Sequence, residues 1–311
     1  MSLTPLLPGA LNDRGQPMTL GVMGGGQLGR MFVQAAQAMG YVTVVLDADP
    51  ASPAGLIAHH HIRTGYEDPQ GLAELAQRCD AITTEFENVP AQALRTLAAR
   101  RPVAPSADCV AVAQDRLQEK AHFVQCAPIS GVHPAPHAAI ETAEQLAAVA
   151  DDLLPGILKT ARLGYDGKGQ VRVKTHAELA AAWEQLGRVA CVLEKMLPLR
   201  SECSVLVARG ADGQVVAFPV QKNTHHDGIL AVTEVHEGHG GAVPAELAAR
   251  AQASTVAIAH HLGYVGVLCV EYFVIDDGRG GLDLVVNEMA PRPHNSGHYT
   301  QNACDLSQFE A

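Results

Sequence analysis

Two acidic residues, Glu271 and Glu288, stand in neighbouring strand-like runs, VGVLCVEYFVI and LDLVVNE. The segment DDGRGG between the runs favours a hairpin. If Asp277 pairs with Leu282, Glu271 lies directly opposite Glu288, with both side chains on one face of the sheet. Like charges in such positions destabilise a sheet, so the pair indicates a bound cation. Mg2+ fits, because it binds a couple of carboxylates and fills its other positions with phosphate oxygens and water.

The segment after Glu288 carries several polar side chains within a few residues, namely Arg292, His294, Asn295 and His298. It is too polar and too rich in proline and glycine to form core. We therefore expect it to hold an anion beside the metal.

The run Gly24 to Gly29 (GGGQLG) follows a strand pattern and opens a helix pattern, and Asp47 ends the next strand. These features are typical of an NAD-binding Rossmann domain. The same glycines and helix N-terminal N–H groups would serve a phosphorylated sugar equally well. The motif by itself does not choose between them, but the rest of the chain favours the sugar.

A glycine-rich loop, GYDGKGQ, starts at Gly164 between two strand candidates, and Lys159 ends the first of them. The loop amides can close on phosphates while Lys159 neutralises one of them. No GK[ST] leads into a helix, so this is not a Walker A loop, and its logic is closer to the kinase glycine-rich hairpin. An ordinary hairpin is the alternative for the loop taken alone.

Further polar candidates lie elsewhere along the chain. The run VLEKML, which contains Glu194, leaves a strand and is followed by Glu202; its backbone can read an adenine edge while a carboxylate binds ribose. Alone, both glutamates would be surface charges. The run His59 to His61 favours a polar loop over a metal site, because adjacent residues on an extended chain point to opposite faces. His225 and His226 lie in a polar cluster that predicts a loop at a site, where one of them contacts substrate or phosphate.

Composition limits the possible functions. The 311 residues include 47% hydrophobic residues, which predicts a folded protein of two or three domains. A net charge of -11 argues against nucleic acid as the partner. The seven scattered cysteines indicate a reduced cytosolic compartment. Neither a signal peptide nor an apolar run long enough to cross a membrane is evident, so we expect a soluble, cytoplasmic protein.

Strand and helix signals alternate in the first half of the chain, which predicts an α/β region with a parallel sheet. Strand candidates at 20–23, 41–46 and 81–84 alternate with helix candidates at 27–39, 69–79 and 90–100, the last two preceded by the capping candidates Asp68 and Asn88. A proline-rich stretch at 101–108 marks a boundary. Beyond it, Thr142 and Thr175 begin capping boxes, 156–160 and 170–174 are strand candidates, and a long helix spans about 244–262. The second part is predicted to be α+β.

Seven stretches occur in a fixed order over almost the whole chain: GGGQLGRM, TTEFENVP, DRLQEK, GYDGKGQ, NTHHDGIL, GYVGVLCVEYF and NEMAPRPHNSGHYTQN. Together they resemble the ATP-grasp superfamily, and most closely the N5-carboxyaminoimidazole ribonucleotide synthetases of purine biosynthesis. The resemblance implies a Rossmann-like pre-ATP-grasp domain at 1–114 and an ATP-grasp domain at 115–311, with a small lid subdomain at about 150–207. The family's further C-terminal domain is expected to be absent, because the chain stops soon after SQFE.

The resemblance also implies roles for individual residues. The nucleotide contacts would be Arg116, Lys159, Gly164, Tyr165, Asp166, Gly167, Lys168, Gly169, Gln170, Glu194, Lys195, Met196, Leu197, Glu202, His225, Asn287 and Glu288. Magnesium, with manganese as a substitute, would bind Glu271 and Glu288. The ribonucleotide would face Gln27, Leu28, Glu85 and Asn295. Arg292 and His294 would contact the intermediate that bears the carboxylate.

The reaction that the resemblance implies joins bicarbonate to 5-aminoimidazole ribonucleotide at the expense of ATP, by way of carboxyphosphate. Such chemistry needs charge neutralisation and exclusion of water more than a nucleophilic side chain. A homodimer is also implied. Two alternatives stay open: a formate-dependent glycinamide ribonucleotide formyltransferase, which prefers glutamate where Gln27 stands, and a nucleotide-binding protein without catalytic activity.

Overall fold

The computed structural model describes residues 6–164, 169–226, 228–236 and 243–311. Its N-terminal region contains β1 (Thr19–Met23), α1 (Gln27–Ala38), β2 (Val42–Leu46), β3 (His60–Ile62), α2 (Pro69–Arg78), β4 (Ala81–Thr84), α3 (Ala91–Ala98) and α4 (Ala107–Ala113). The strands form a parallel sheet in the order β3-β2-β1-β4. The predicted α/β region is therefore confirmed. Asp68 caps α2 as predicted, whereas Pro90, not Asn88, directly precedes α3.

The middle of the chain builds a second, antiparallel sheet. The elements of this part of the chain are α5 (Arg116–Ser130), β5 (His133–Pro134), β6 (His137–Ile140), α6 (Ala143–Ala147), β7 (Gly156–Thr160), β8 (Gln170–Val173), α7 (His176–Gln185) and β9 (Cys191–Lys195), of which β5 joins the large sheet and not this one. The sheet order is β6-β9-β7-β8, and its apolar face packs on α7 through Leu179 and Trp183. The hydroxyls of Thr142 and Thr175 accept hydrogen bonds at the starts of α6 and α7, as the capping boxes predict.

The largest sheet has seven strands and lies at the C-terminal end. It adds β10 (Leu199–Arg209), β11 (Val215–Ala217), β12 (Gln221–His226), β13 (Ile229–Glu234), α8 (Ala245–His261), β14 (Gly266–Asp276), β15 (Leu282–Ala290) and α9 (Thr300–Ala303). The order is β13-β12-β10-β14-β15-β5, with β11 beside β10. Helices α5 and α8 pack against each other and on this sheet, around Phe123, Ile258 and Tyr272. Within the described ranges, no helix is both long and apolar enough to cross a bilayer.

The residues of the second sheet do not coincide with the predicted lid subdomain of about 150–207 at either end. The sheet already begins with β6 at His137, whereas β10 pairs along its length with β14 of the large sheet. Apolar residues alternate along β10, so Cys203, Val205 and Val207 lie in the core beneath α8. This explains why β10 belongs to the large sheet and not to the smaller one.

The predicted register of the β14–β15 hairpin is wrong by one residue near the turn. Asp276, not Asp277, pairs with Leu282, because the Asp277 side chain turns into the loop and accepts hydrogen bonds from the N–H groups of Arg279 and Gly281 at 2.7 and 2.8 Å. A bulge then shifts the register between Tyr272 and Val270. At this bulge Asn287 and Glu288 together face Glu271, so the two glutamates are neighbours without being a directly opposed pair.

Two segments predicted to be loops are strands. Gln221–His226 is β12, whose polar residues pair with β10; Asn223 lies buried and donates to Ser204 Oγ at 2.8 Å. Its polarity reflects a strand face that lines a polar site. His60 and His61 begin β3 and pair with Val44 and Val45 of β2.

Candidate active site

The carboxylates of Glu271 and Glu288 lie at the bulge in the large sheet. Glu271 is buried, and burial first, then the charge of Glu288, raises its pKa to about 8. Asn287, between them, is also buried, and its Oδ1 atom has no hydrogen-bond partner in the described structure. Oxygen ligands crowded in this way, with excess negative charge and an unsatisfied amide oxygen, are what a hard divalent cation requires. The residues present therefore fit Mg2+.

His225 and Glu202 extend this acidic group on the neighbouring strands. His225 Nδ1 lies 3.0 Å from Glu202 Oε2, and this contact raises the pKa of His225. Glu202 belongs to β10, which pairs with β14, and His225 belongs to β12, which pairs with β10, so the order of the strands places both on the same side of Glu271. The predicted nucleotide contacts Glu202 and His225 are thus placed together.

His294 and Arg292 follow β15 and border the same group. His294 Nε2 lies 3.2 Å from Glu271 Oε1, and its Nδ1 lies 2.9 Å from Ser296 Oγ. Burial first, and then Arg292, lower the pKa of His294 to about 3, so its ring is neutral at physiological pH. Arg292 Nε donates to Glu87 Oε2 at 2.6 Å, which ties this segment to the N-terminal region. Asn295 is exposed next to them.

A buried ion cluster lies on the other side of Asn287. Glu194 Oε1 is 3.3 Å from Lys120 Nζ and 3.1 Å from Lys159 Nζ. Burial works to raise the pKa of Glu194, but Lys120 and Lys159 outweigh it and lower that pKa to about 2. Lys120 also donates to the backbone oxygen of Asn287 at 2.7 Å. Glu194 is therefore not a solvated surface charge, because it is buried and contacts both lysines.

Sequence reasoning did not select Lys120 or its neighbour Glu119. Glu119 is buried and accepts a hydrogen bond from the N–H of Met289 at 2.7 Å, and burial raises its pKa to about 8. Both residues belong to the stretch DRLQEK. The available signal was a pair of adjacent, oppositely charged residues within a helix pattern.

The base of the glycine-rich loop is held by Arg116. Its Nη1 and Nη2 atoms donate to the backbone oxygens of Thr160 and Gly164, each at 2.9 Å. Gly169 has a φ of 70°, which favours glycine, and Gln170 pairs with Lys159 across the hairpin. The predicted contacts Tyr165, Asp166, Gly167 and Lys168 lie outside the described residues.

The chain that leaves β9 has part of its backbone already engaged. The N–H groups of Lys195 and Met196 donate to the backbone oxygens of Pro136 and Pro155, each at 2.9 Å, and Leu197 accepts from Leu199. The Met196 side chain is exposed. An adenine edge at this segment would therefore use other backbone groups than the two N–H groups of Lys195 and Met196.

The glycine motif of the N-terminal region has carboxylates on its backbone amides. Glu85, which follows β4, accepts from the N–H groups of Gly26 and Gly29 at 2.5 and 2.6 Å, and Asp47 accepts from Gly25 at 2.8 Å. Burial raises the pKa of Glu85, against the opposing effect of these hydrogen bonds. The adjacent cavity of about 230 Å³ is lined by Asp47 and Glu85. This arrangement does not suit a dinucleotide pyrophosphate, which needs those amides and no carboxylates beside it.

Gln27 and Leu28 begin α1 at this cavity's edge, Gln27 exposed and Leu28 half-buried. Arg292 also lies near enough to Glu85 to oppose the rise in its pKa. Glu85, one of the predicted ribonucleotide residues, and the predicted catalytic Arg292 therefore lie close together. By contrast, the histidine run contacts three separate partners: His59 Nδ1 meets Thr43, His60 meets Glu74 and His61 meets the backbone oxygen of Asp47.

The fold and this arrangement define an ATP-grasp protein, with two sheets around a lysine and carboxylate site and a pre-ATP-grasp region before them. Family models agree: an ATP-grasp domain matches residues 126–309, and a ribonucleotide synthetase preATP-grasp domain matches residues 17–114. A curated N5-carboxyaminoimidazole ribonucleotide synthase from Brucella melitensis is 41% identical over 313 residues, covering 100% of this chain and 81% of the relative. The chain belongs to the N5-carboxyaminoimidazole ribonucleotide synthase family.

Solved structures give the same result. An N5-carboxyaminoimidazole ribonucleotide synthetase in complex with ADP matches with a TM-score of 0.86 and 37% identity, over 98% of this chain and 76% of that one. A synthase from Aspergillus clavatus, solved with ADP and 5-aminoimidazole ribonucleotide, matches with a TM-score of 0.82 and 30% identity, over 95% and 75% of the two chains. The assignment as an ATP-dependent ligase of purine biosynthesis follows from this family membership.

Proposed function

We propose that this protein uses ATP to carboxylate 5-aminoimidazole ribonucleotide with bicarbonate, giving N5-carboxyaminoimidazole ribonucleotide, ADP and phosphate. The proposal rests on one connected group of side chains. Glu194 contacts Lys159 and Lys120, and Lys120 donates to the backbone oxygen of Asn287. Asn287 directly precedes Glu288, which neighbours Glu271. Two buried lysines beside two carboxylates can hold a polyphosphate between cations and a metal.

In this reaction a bicarbonate oxygen attacks the γ-phosphorus of ATP, and the bond to ADP breaks. The amine nitrogen of the ribonucleotide then attacks the carbon of carboxyphosphate, phosphate leaves and the nitrogen loses a proton. Lys120 and Lys159 would neutralise phosphate oxygens, and Arg116 would hold the base of the glycine-rich loop. Glu202, His225 and the segment Glu194 to Leu197 would contact the nucleoside.

We assign Mg2+, with Mn2+ as a substitute, to Glu271 and Glu288. When bound, the ion would withdraw charge from the transferred phosphoryl group. Asn287 would offer its unsatisfied Oδ1 atom as a further oxygen donor to the ion.

The ribonucleotide would lie between the N-terminal region and the segment after β15. Gln27, Leu28 and Glu85 would face it from one side and Asn295 from the other. Arg292 would attract its new carboxylate while Glu87 fixes the arginine's orientation. His294 is neutral and can donate or accept a hydrogen bond without adding charge. The site residues that the resemblance implies remain part of this proposal, and so do the domain boundary after residue 114 and a cytoplasmic location. We also propose a homodimer, which analytical ultracentrifugation would test.

The test is phosphate release from ATP in two mixtures. Bicarbonate with 5-aminoimidazole ribonucleotide should stimulate release, whereas formate with glycinamide ribonucleotide should not. Release only in the formate mixture would replace the proposal with the formyltransferase alternative. Binding of ATP with no stimulated release in either mixture would favour the noncatalytic alternative.

A further inference from the structure

The helix pair behind the large sheet holds a group of metal-binding side chains that the carboxylation site does not use. His122 and Cys126 lie one turn apart on α5, and His261 is the last residue of α8. One ligand atom from each lies within 4.8 Å of the other two. His122 Nε2 is 3.3 Å from Cys126 Sγ, and the rings of His122 and His261 have centroids 4.9 Å apart.

We propose that His122, Cys126 and His261 form a binding site for a single zinc-like divalent transition metal ion, with water as the fourth ligand. Residues at positions i and i+4 share one face of a helix, so α5 supplies two ligands without any rearrangement. Two ligand atoms on one tetrahedral zinc stand roughly 3.3 to 3.8 Å apart, which the His122 and Cys126 atoms already satisfy. The His261 ring is exposed, and one of its nitrogen atoms lies within 4.8 Å of the other two ligand atoms.

The chemical character of the group favours a soft or borderline ion over Mg2+. Two imidazoles and a sulfur suit zinc, whereas Mg2+ prefers oxygen. His122 is buried, and its Nε2 atom already faces the Cys126 sulfur. Binding would convert the Cys126 thiol to a thiolate, form a metal–sulfur bond and release one proton to solvent. No oxidation or reduction is involved.

The site would connect two elements with different roles. Helix α5 carries Arg116, Glu119 and Lys120 to the nucleotide side, and α8 covers the large sheet. A metal ion between them would fix α5 without touching the substrates. The proposal does not depend on the proposed reaction, because it concerns binding and stability alone.

The test is titration of the metal-free, full-length chain with Co2+, followed by optical spectroscopy. Co2+ bound to a thiolate gives a sulfur-to-metal charge-transfer absorption that carboxylate ligands cannot give, so binding at Glu271 and Glu288 does not interfere. We expect one equivalent of Co2+ with this absorption, its displacement by Zn2+, and a higher unfolding temperature with Zn2+. Cys126→Ser should remove the absorption.

His261→Ala and His260→Ala form a matched pair, since both histidines are exposed at the end of α8. His261→Ala should weaken Co2+ binding by at least about tenfold, and His260→Ala should leave it unchanged. Absence of the charge-transfer absorption in the unsubstituted chain would overturn the proposal. So would its persistence in Cys126→Ser, or equal effects of the two histidine substitutions. If Cys126→Ser does not fold, the histidine pair decides, because neither histidine side chain is buried.

Discussion

Replacement of Glu194 by glutamine isolates the contribution of the buried ion cluster to stability. The side chains of Glu194, Lys120 and Lys159 are 5%, 2% and 12% exposed, so solvent screens the cluster little. Glutamine keeps the size of the side chain and removes its charge, which leaves two lysines facing each other. Breaking a buried ion pair in this way costs about 3 to 5 kcal/mol. The pKa gives a similar value, because lowering it from 4.5 to about 2 corresponds to about 3 kcal/mol in favour of the charged form.

The same shift fixes how this contribution depends on pH. The pKa of Glu194 is lower in the folded state than the ordinary value of 4.5, so the stabilisation is present above that pH. It is lost as the pH falls from 4.5 toward 2. The difference in unfolding free energy between the original chain and Glu194→Gln should therefore be constant near neutrality and shrink in acid.

The assay is urea unfolding at several pH values, with linear extrapolation to water. Glu184→Gln is the matched control, because it removes a carboxylate from an exposed pair with Arg188 in the same part of the chain. We expect no measurable loss there. A loss below about 1 kcal/mol in Glu194→Gln would be the value of an exposed pair and would refute the reasoning. A difference that persists unchanged at low pH would also refute it.

Three further substitutions test the site. Glu288→Gln should lower kcat on the order of 10² to 10³-fold and leave the unfolding midpoint equal or higher, because it removes a like charge from Glu271; steady-state kinetics and thermal unfolding measure both. Glu85→Ala should cost about 0.5 to 2 kcal/mol by uncapping α1 and raise the KM for the ribonucleotide more than that for ATP. Arg116→Lys should raise the KM for ATP about tenfold with little change in kcat, because lysine cannot span the oxygens of Thr160 and Gly164. An unchanged KM for ATP would show that this anchor does not position the loop.

Local rules explain why most of the fold could be predicted from the sequence. The alternation of apolar runs with capped helices depends on neighbours in the chain, and the capping threonines Thr142 and Thr175 act within one turn. The hairpin of β14 and β15 shows the limit. Its turn and both strands could be predicted, but the register could not. The Asp277 side chain accepts a hydrogen bond from the N–H of Gly281 within the turn, and a bulge shifts the pairing further along the strands. Neither event leaves a periodic signal.

The candidate site shows a similar division. The carboxylates Glu271 and Glu288 stood out because charged residues interrupt apolar strands. Lys120 was missed because lysine on a helix is ordinarily a solvated residue, and only tertiary packing shows that Glu194 and the backbone of Asn287 surround it. For the same reason the sequence did not show that Glu194 contacts Lys120 and Lys159. A sequence shows which charges are costly to bury but not which opposite charge accompanies them.

Helix α5 accounts for much of what the sequence left hidden. Its first turn fixes the loop through Arg116, and its second sends Glu119 to the N–H of Met289 and Lys120 to the oxygen of Asn287. Both contacts flank Glu288, so a displacement of α5 along its axis would disturb the base of the loop and the strand that carries Glu288 together. These contacts require charged residues on the buried face of α5, which is apolar in most helices. The sequence of α5 is therefore only weakly amphipathic. A metal ion held by His122, Cys126 and His261 would add a second anchor, to α8, and stabilise the position of this helix.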